Sequence, residues 1–364
     1  MSARAGAPRA SADVTENSAY REPLLRVRDL KVHFPLPRRH AFARPSHVHA
    51  VDGVSFDVVR GRTCALVGES GSGKTTTALA VTRLAPITAG EVHLAGEPLH
   101  ALEGDALRRR RRDVQIVFQD PYASLDPRVR AGDIVASPLR QLDAVGMKAE
   151  IDARVAELFE LVGLRPEQRA LFPHQFSGGQ RQRIGIARAL ATEPSLIVCD
   201  EPVSALDVAI QAQVLNLLAR LQERFGIAYL FISHDLGVVQ HVADTVAVMY
   251  LGQIVERADR EALFTRPLHP YTRALLSAVP SADPAIRARA ERIRLAGDPP
   301  SPIDPPPGCR FASRCPFVEA RCRETDPALR AVGGGTGGEH LVACHLVGED
   351  GRVATGAGSV DDVT

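Results

Sequence analysis

The fold of this chain is decided by Gly68-Glu69-Ser70-Gly71-Ser72-Gly73-Lys74-Thr75, which matches the phosphate-binding loop pattern G-x-x-x-x-G-K-[ST] at every fixed position. An apolar run, Thr63–Val67, precedes the loop, and a segment with helical character over residues 75–84 follows it. The strand, loop and helix that this motif requires are therefore all present. We interpret the stretch as a nucleotide-binding loop rather than a glycine-rich turn without a ligand.

Each part of the loop has a chemical reason. The glycines allow the backbone to curl its N–H groups around a polyphosphate, and the following helix adds the positive end of its dipole. Lys74 supplies a charge for the β- and γ-phosphates, and the Thr75 hydroxyl is placed to bind Mg²⁺. The loop alone indicates a nucleotide but not what the nucleotide is used for.

Composition limits the class of protein. The chain has 364 residues, is 45% hydrophobic and carries a formal net charge of +1, so it can form a real core and is no general polyanion binder. No window approaches the roughly 18 consecutive apolar residues that cross a bilayer as a helix. The first 23 residues lack the continuous apolar region of a secretory signal. We expect a soluble, cytosolic chain with any membrane role supplied by a partner.

Periodicity predicts a doubly wound α/β core with additions. Residues 25–34 and 54–58 alternate apolar and polar side chains, which is typical of half-buried antiparallel strands, and residues 92–96 add a short strand. Four further apolar runs predict buried parallel strands separated by helices: Val114–Phe118, Leu196–Cys199, Ala228–Ile232 and Thr245–Met249. Residues 35–49 indicate an exposed loop, and helical spacing dominates between residues 127 and 174.

Two carboxylates, Asp200 and Glu201, follow the predicted strand Leu196–Cys199. In a phosphate-loop fold this is where Mg²⁺ and the attacking water are managed. Asp200 would belong to the Mg²⁺ shell, and Glu201 would act as the general base on water. The alternative is an acidic N-cap on the next helix, which the preceding phosphate loop makes the weaker interpretation.

Two further polar residues end predicted strands. His234 follows Ala228–Ile232 and could donate a hydrogen bond to a γ-phosphate, whereas a lone histidine is more often structural. Gln119 follows Val114–Phe118. Neither residue carries a function by itself, and both interpretations depend on the neighbouring motifs.

Ser177-Gly178-Gly179-Gln180 opens a predicted helix that runs through Ala191 and forms a second nest of N–H groups suited to an anion. One chain thus carries two phosphate-binding elements that are far apart in sequence. We interpret them as serving different nucleotides, with the second acting across a dimer.

This ordered set of motifs resembles the ATP-binding subunits of ABC transporters over roughly residues 24–265. The resemblance implies ATP and Mg²⁺ as cofactors and ATP hydrolysis as the activity. It implies these roles: nucleotide contacts from the Walker A residues Gly68, Ser70, Gly71, Gly73, Lys74, Thr75 and Thr76 and from the signature residues Ser177, Gly178, Gly179 and Gln180; Mg²⁺ contacts from Thr75, Gln119 and Asp200; catalysis by Glu201, His234, Gln119 and Lys74; a D-loop at Ser204–Asp207; and adenine stacking on Phe34, with Phe42 as the second candidate.

Two stretches narrow the resemblance to the dipeptide and oligopeptide importer ATPases: Val117–Pro127 and Arg266–Thr272. Within that group the chain most resembles the subunit usually encoded last, which pairs with a related but different ATPase. The implied partners are this second ATPase in a heterodimer, two membrane permease subunits and an extracytoplasmic substrate-binding protein. The implied location is the cytoplasmic face of the cell membrane. Nickel or another small solute is the alternative cargo.

The resemblance also sets the expected organisation. We predict a disordered tail over residues 1–23, an ABC ATPase domain over 24–265 with a helical subdomain at about 127–190, a cysteine-bearing extension over 266–346, and a second tail over 347–364. Soluble ABC ATPases that act on DNA or ribosomes are the rival class. Those usually carry a long coiled-coil insertion or two motif sets, and this sequence has neither. A non-hydrolysing regulatory subunit would lack Glu201 or His234, and both are present.

Four of the six cysteines lie near the C-terminus, at Cys309, Cys315, Cys322 and Cys344, whereas Cys64 and Cys199 fall inside apolar strands as core residues. Four thiols in a cytosolic chain favour a metal over disulfides. The importer resemblance implies a 4Fe-4S cluster, for which four cysteine ligands are usual. Structural zinc and unliganded thiols are the alternatives, although zinc ligand pairs are usually closer together in sequence.

The run Arg108–Arg112 raises the question of nucleic-acid binding. Arginines just before a core strand are more often a solvated helix face, particularly here, where only three of 44 basic residues are lysine. We expect no nucleic-acid partner.

Overall fold

We analysed a computed structural model of the chain, which describes residues 22–37, 46–142, 147–279, 293–295, 297–333 and 339–353. Its strands are β1 (Pro23–Pro35), β2 (His47–Val59), β3 (Thr63–Val67), β4 (Ala89–Leu94), β5 (Glu97–Pro98), β6 (Val114–Val117), β7 (Leu196–Asp200), β8 (Ala228–Ser233), β9 (Thr245–Tyr250), β10 (Gln253–Asp259), β11 (Arg330–Ala331) and β12 (Leu341–Val342). Its α-helices are α1 (Lys74–Val81), α2 (Gly104–Arg110), α3 (Ala131–Gln141), α4 (Lys148–Leu161), α5 (Gly178–Leu190), α6 (Val208–Phe225), α7 (Leu236–Val242), α8 (Arg260–Thr265), α9 (Pro270–Ser277) and α10 (Ala320–Glu324).

The central sheet has the strand order β11-β12-β10-β9-β3-β8-β7-β6. The strands from β6 to β9 are parallel, as their apolar runs predict, and β3, β7 and β8 are buried along their whole length. Helices on both faces explain why these strands show no polar alternation. The carboxyl ends of β3, β7 and β8 lie side by side at one edge, which brings together the residues that follow each strand.

A second sheet, of order β2-β1-β4-β5, is antiparallel. The strands β1 and β2 pair from Pro23↔Val59 to Pro35↔His47. Alternating side chains of these strands are buried, which confirms the predicted half-buried strands. The stretch predicted as a loop is shorter than expected, because β1 extends to Pro35 and β2 begins at His47.

Three helices, α3, α4 and α5, lie between β6 and β7 in the chain and pack together around buried side chains such as Val135, Leu158, Phe159 and Ile184. The helical character predicted within residues 127–174 is therefore confirmed at α3 and α4. The second glycine-rich motif lies at the N-terminus of α5.

The C-terminal segment, which begins at residue 266, is anchored by Glu256 of β10, whose side chain is fully buried. Its carboxylate accepts hydrogen bonds from the backbone N–H groups of Leu268 and His269, at 2.7 and 2.9 Å, and lies 2.7 Å from Nε2 of His340.

The structure also differs from the tail predicted to begin at residue 347. Val347 is buried and forms a bridge with Val353 because both pack on the apolar cluster around Leu268. The predicted tail segments 1–21 and 354–364 lie outside the described residues.

In the part of the chain that the structure describes, no helix combines the length and the apolar character needed to cross a membrane.

Burial makes the stability of this segment depend on pH. Burial lowers the pKa of His269 from 6.5 to about 4, although the neighbouring Glu256 acts in the opposite direction. The unfolded chain then binds more protons between these pH values, so the stability is complete above about pH 6.5 and falls as the pH drops towards 4, by up to about 3 kcal/mol. Nδ1 of His269 accepts the backbone N–H of Tyr271 at the start of α9, a cap that asparagine can replace.

We therefore expect urea unfolding of the wild type to show a larger loss of stability between pH 7.5 and pH 5 than the unfolding of His269→Asn, by roughly 2 kcal/mol. An equal loss in the two proteins would show that His269 is not the titrating group.

Candidate functional site

The phosphate loop needs its glycines for two physical reasons. Gly73 has a φ of 104°, and a Cβ there would lie 2.1 Å from the carbonyl oxygen of Ala50. A Cβ on Gly68 would lie 2.2 Å from the carbonyl oxygen of Met249. Both positions combine close backbone approach with a backbone geometry that side chains disfavour, so the loop can keep this shape only with glycine.

Lys74 begins α1 and turns back over the loop. Its Nζ donates hydrogen bonds to the carbonyl oxygens of Gly68 and Glu69, both at 2.8 Å. Burial lowers the pKa of Lys74, whereas the carboxylates of Glu201, Asp200 and Glu69 act to raise it. Nζ also lies 3.4 Å from the Ser72 hydroxyl, so the positive charge at the base of the loop is held by uncharged groups and remains available to an anion.

Thr75 and Asp200 are neighbours although 125 residues separate them. The Thr75 hydroxyl donates a hydrogen bond to Oδ1 of Asp200 at 3.1 Å. Burial raises the pKa of Asp200, and the hydrogen bond from Thr75 acts to lower it. A hydroxyl and a carboxylate are oxygen ligands of the kind that Mg²⁺ prefers. This pair can therefore hold a magnesium ion beside the loop.

The side chain of Glu201 contacts those of Gln119 and His234, so polar residues from three strand ends meet here. Nε2 of Gln119 donates to its Oε2 at 2.9 Å, and Nδ1 of His234 lies 3.0 Å from its Oε1. The backbone of Glu201 has a φ of 45°, in the left-handed region. It is held there because its N–H donates to the carbonyl of Ile232 and its carbonyl accepts the Ser204 hydroxyl. The structure thus brings Gln119 and His234 together with the carboxylate that gives them a role.

A cleft of about 600 Å³ joins these groups. Its lining residues are Val48, Ala50, Gly68, Glu69, Ser70, Gly71, Gly73, Lys74, Thr75, Thr76, Gln119, Glu201, His234, Leu275 and Pro302. Nearly all predicted loop and strand-end residues contribute. Asp200 lies beneath the lining, bonded to Thr75.

Phe34 is 39% exposed on β1 and is not a lining residue, but its cross-strand partner Val48 lines the cleft. The ring therefore lies beside the cleft rather than in its wall. The alternative candidate, Phe42, falls outside the described residues.

Ser177 is the N-cap of α5. Its side chain accepts the Gln180 N–H at 3.4 Å, and Oε1 of Gln180 accepts the Ser177 N–H at 3.0 Å, a reciprocal capping arrangement. A Cβ on Gly179 would lie 2.4 Å from Cγ2 of Ile210, which explains a glycine there. None of the four residues Ser177–Gln180 lines the loop cleft. The second anion nest therefore does not contribute to the cleft of its own chain.

One wall of the cleft comes from the C-terminal segment and was not predicted from the sequence. Leu275 and Pro302 line it, and the backbone N–H of His49 donates to the Pro302 carbonyl at 2.9 Å. Glu69 of the loop also bonds to Tyr271 and Arg314 of this segment. Motif patterns report local spacing, so contacts between a loop and a segment 200 residues later leave no local trace.

The four C-terminal cysteines are neighbours and form no disulfide. Burial, followed by the effect of the other three thiols, raises the pKa of Cys309 to about 12. Backbone N–H groups donate to three of the sulfur atoms, from Phe311 to Cys309, from Phe317 to Cys315, and from Leu346 to Cys344. Hydrogen bonds to sulfur stabilise thiolates and are a feature of cluster ligands.

The thiols are not arranged around a single small ion. Four thiolates at 2.3 Å from a tetrahedral zinc would lie about 3.8 Å apart. Among the described residues, the only three potential ligands whose atoms lie within 4.8 Å of one another are His33, His49 and Asp52. The guanidinium of Arg310 pairs with the Asp52 carboxylate, which opposes a cation there.

Comparison with known proteins gives two family matches. Residues 51–204 match the ABC transporter family, and residues 255–322 match the C-terminal region of oligopeptide/dipeptide transporters. Among solved structures, the ATP-binding cassette MJ0796, in a dimeric post-hydrolysis state bound to ADP and Pi, resembles the chain with a TM-score of 0.58 and 27% identity, covering 65% of this chain and 98% of that one.

Curated relatives extend over almost the whole chain. A putative peptide import ATP-binding protein of Brucella ovis is 51% identical over 88% of this chain and 97% of its own length. The dipeptide transport ATP-binding protein DppF of Escherichia coli is 46% identical over 92% of this chain and 98% of its own length. The oligopeptide transport ATP-binding protein AppF of Bacillus subtilis is 47% identical over 90% of this chain and 99% of its own length. The phosphate loop, the carboxylates at the end of β7 and these relatives together place the chain in the family of ABC transporter ATP-binding proteins.

Proposed function

We propose that the chain is an ATP-hydrolysing subunit that powers the import of dipeptides or oligopeptides through a membrane permease. The observation that carries the ATPase proposal is the convergence of Gln119, Glu201 and His234 on the cleft above the phosphate loop. The peptide cargo is supported by the relatives, whose names describe peptide, dipeptide and oligopeptide transport. Nickel or another small solute is the alternative cargo.

In this proposal the residues in and around the cleft have separate roles in binding and hydrolysis. The loop N–H groups and Lys74 bind the phosphates of ATP, Phe34 contacts the adenine, and Mg²⁺ is held by Thr75, Asp200 and Gln119. Glu201 accepts a proton from the attacking water, because its carboxylate lines the cleft within hydrogen-bond distance of Gln119 and His234. His234 donates to the γ-phosphate once Glu201 turns to the water.

We further propose that two nucleotides lie between two such subunits, each held by the loop of one and by Ser177–Gln180 of the other. The support is the position of this nest, whose Ser177 is exposed and which lies outside its own cleft. MJ0796, solved as a dimer, has the same cassette fold. The partner we propose is a second, related ATPase.

Ser177→Arg tests the dimer. We expect ATP affinity of the isolated chain to stay within about twofold of wild type, whereas turnover by the assembled transporter falls about 100-fold, because a donor to the charge that develops in the transition state is lost. Fluorescent-nucleotide titration and phosphate release measure the two effects. Ala219→Arg, which adds the same side chain at an exposed position of α6, is the control. A parallel loss of affinity in the isolated Ser177 variant would contradict the assignment.

A groove of about 430 Å³ offers a surface for the permease. It lies between the stretch after Gln119 and helix α3, and its lining includes Ser124, Asp126, Asp133 and Arg188. The Arg188 guanidinium of α5 donates to the Ser124 carbonyl at 2.8 Å and so ties the stretch after Gln119 to α5. We propose that a permease helix binds here, at the cytoplasmic face of the membrane, and receives the motion of Gln119. An extracytoplasmic binding protein would deliver the cargo.

The nucleic-acid alternative has little support. Arg110 pairs with Asp113 and Glu97, and Arg111 donates to the Arg83 carbonyl, so these side chains brace the fold. Transport distinguishes the candidates directly. A strain lacking the gene should lose uptake of a labelled tripeptide and regain it with the wild-type chain. Uptake of labelled nickel restored in place of peptide would support the alternative cargo, and restoration of neither would reject transport of both.

We also propose that Cys309, Cys315, Cys322 and Cys344 hold a 4Fe-4S cluster with a structural role. The supports are their number, their N–H···S hydrogen bonds, and a spacing wider than zinc requires. When bound, the cluster would supply cross-links between the turn around residue 309, helix α10 and the strand end at Cys344. We propose the segment from residue 266 as a separate extension on this basis.

Anaerobic purification should yield about four iron and four sulfide per chain, with broad visible absorbance. Cys322→Ser should lose most of both, whereas Cys64→Ala, a change in a buried strand outside the segment, should retain them. Stoichiometric zinc, or a metal-free chain with four titratable thiols, would reject the cluster.

A further inference from the structure

Glu69, the second residue of the phosphate loop, is hydrogen-bonded to four residues. Its backbone N–H donates to the Tyr271 hydroxyl at 2.8 Å, and its carbonyl accepts from Lys74 at 2.8 Å and from the Ser72 N–H at 3.2 Å. Its carboxylate accepts two hydrogen bonds from the guanidinium of Arg314, at 2.8 and 3.1 Å. Two of the four partners belong to the C-terminal segment, so the shape of the loop depends on that segment.

The charge of Glu69 matters because the loop binds an anion. An unpaired carboxylate in a loop that encloses phosphates would repel them and weaken binding. Arg314 presents two N–H groups to this carboxylate in the bidentate geometry that gives the strongest pairing. The side chain of Arg314 is 8% exposed and that of Glu69 is 29% exposed, so solvent screens the pair only in part.

Arg314 lies in the turn between Cys309 and Cys315. The Arg314 N–H donates to the Phe311 carbonyl at 3.0 Å, and the Cys309 N–H donates to the Cys322 carbonyl at 2.8 Å. The ring of Phe311 packs against Tyr271 with centroids 5.5 Å apart. One compact turn therefore carries both the cysteines and the groups that reach Glu69.

We propose that Arg314 and Tyr271 are positioning residues for ATP binding, in which Arg314 neutralises the Glu69 carboxylate and Tyr271 fixes its N–H, so that the cysteine-bearing turn and the nucleotide affinity are linked. This inference rests on the proposed ATP site. It assigns the C-terminal segment a direct part in nucleotide binding, whatever group the cysteines hold.

If Arg314 neutralises Glu69, then removing both charges together should restore ATP binding. Arg314→Gln should raise the Kd for ATP about tenfold, because it leaves the Glu69 carboxylate unpaired beside the phosphates. The double variant Glu69→Gln with Arg314→Gln should bind ATP within about threefold of wild type, because the repelling charge is then absent. High salt should reduce the defect of Arg314→Gln by screening. The matched control is Arg321→Gln, which removes an exposed arginine of the same segment whose partner is Glu319.

A second pair of variants tests the hydroxyl. Tyr271→Phe keeps the buried ring and removes only the acceptor of the Glu69 N–H, and we expect about a fivefold rise in the Kd for ATP. Tyr229→Phe removes another buried hydroxyl, bonded to the Leu218 carbonyl far from the loop, and should leave the Kd unchanged. Linkage is reciprocal, so ATP should slow amide hydrogen exchange of the turn between Cys309 and Cys315 in the wild type but not in Arg314→Gln.

The measurements are fluorescent-nucleotide titration of the full chain and hydrogen-exchange mass spectrometry of the turn between Cys309 and Cys315. An Arg314→Gln affinity equal to wild type, or a double variant as weak as the single one, would overturn the inference. The second result would also identify general misfolding as the cause. A wild-type chain that fails to bind ATP would refute the proposed function instead.

Discussion

Glu201→Gln is expected to lower ATP turnover by about 10²–10⁴-fold while ATP binding is retained. Glutamine keeps the size of the side chain and can still accept from the Gln119 amide, so the geometry around the loop should survive. It can no longer accept a proton from water at neutral pH. Nucleotide should therefore accumulate in a closed dimer that does not turn over.

Phosphate release and size-exclusion chromatography with ATP measure the two parts of this expectation. Glu223→Gln is the matched control, because this exposed glutamate of α6 lies outside the cleft and the same substitution there should leave turnover unchanged. Turnover of Glu201→Gln within a few-fold of wild type would mean that another group accepts the proton.

Lys74→Ala is expected to weaken ATP binding about 100-fold or more. The Nζ group is held by two loop carbonyls at 2.8 Å and is the buried positive charge at the base of the cleft. Loss of two charge-assisted hydrogen bonds to phosphate, each worth about 1.5 kcal/mol or more, corresponds to this factor. The fold should persist, because the freed carbonyls border the open cleft and can bond to water.

Equilibrium titration with a fluorescent ATP analogue measures the affinity, and thermal unfolding without nucleotide checks the fold. Lys148→Ala removes an exposed lysine at the start of α4 and should bind ATP normally. Wild-type affinity in Lys74→Ala would show that the loop does not use this ammonium for phosphate.

The strands and the site motifs could be read from the sequence because they are local. Apolar runs such as Ala228–Ile232 fix buried strands, and the residue that follows each strand lies at a known edge of a parallel sheet. The roles of Gln119 and His234 could not be assigned from their own positions. They depend on contact with Glu201, which lies at the end of another strand. Predicted strand ends place such residues near one another but do not show which side chains form bonds.

The sequence by itself determined the nucleotide loop, the carboxylates at the end of β7, the parallel core and the resemblance to transporter ATPases, because each depends on spacing within a short stretch. Only the tertiary structure decided that Leu275 and Pro302 wall the cleft, that Ser177 lies outside the cleft of its own chain, and that Arg314 pairs with Glu69 across 245 residues. The physical reason is that long-range pairing depends on how packed elements approach one another, and a charge on an isolated side chain does not name its partner.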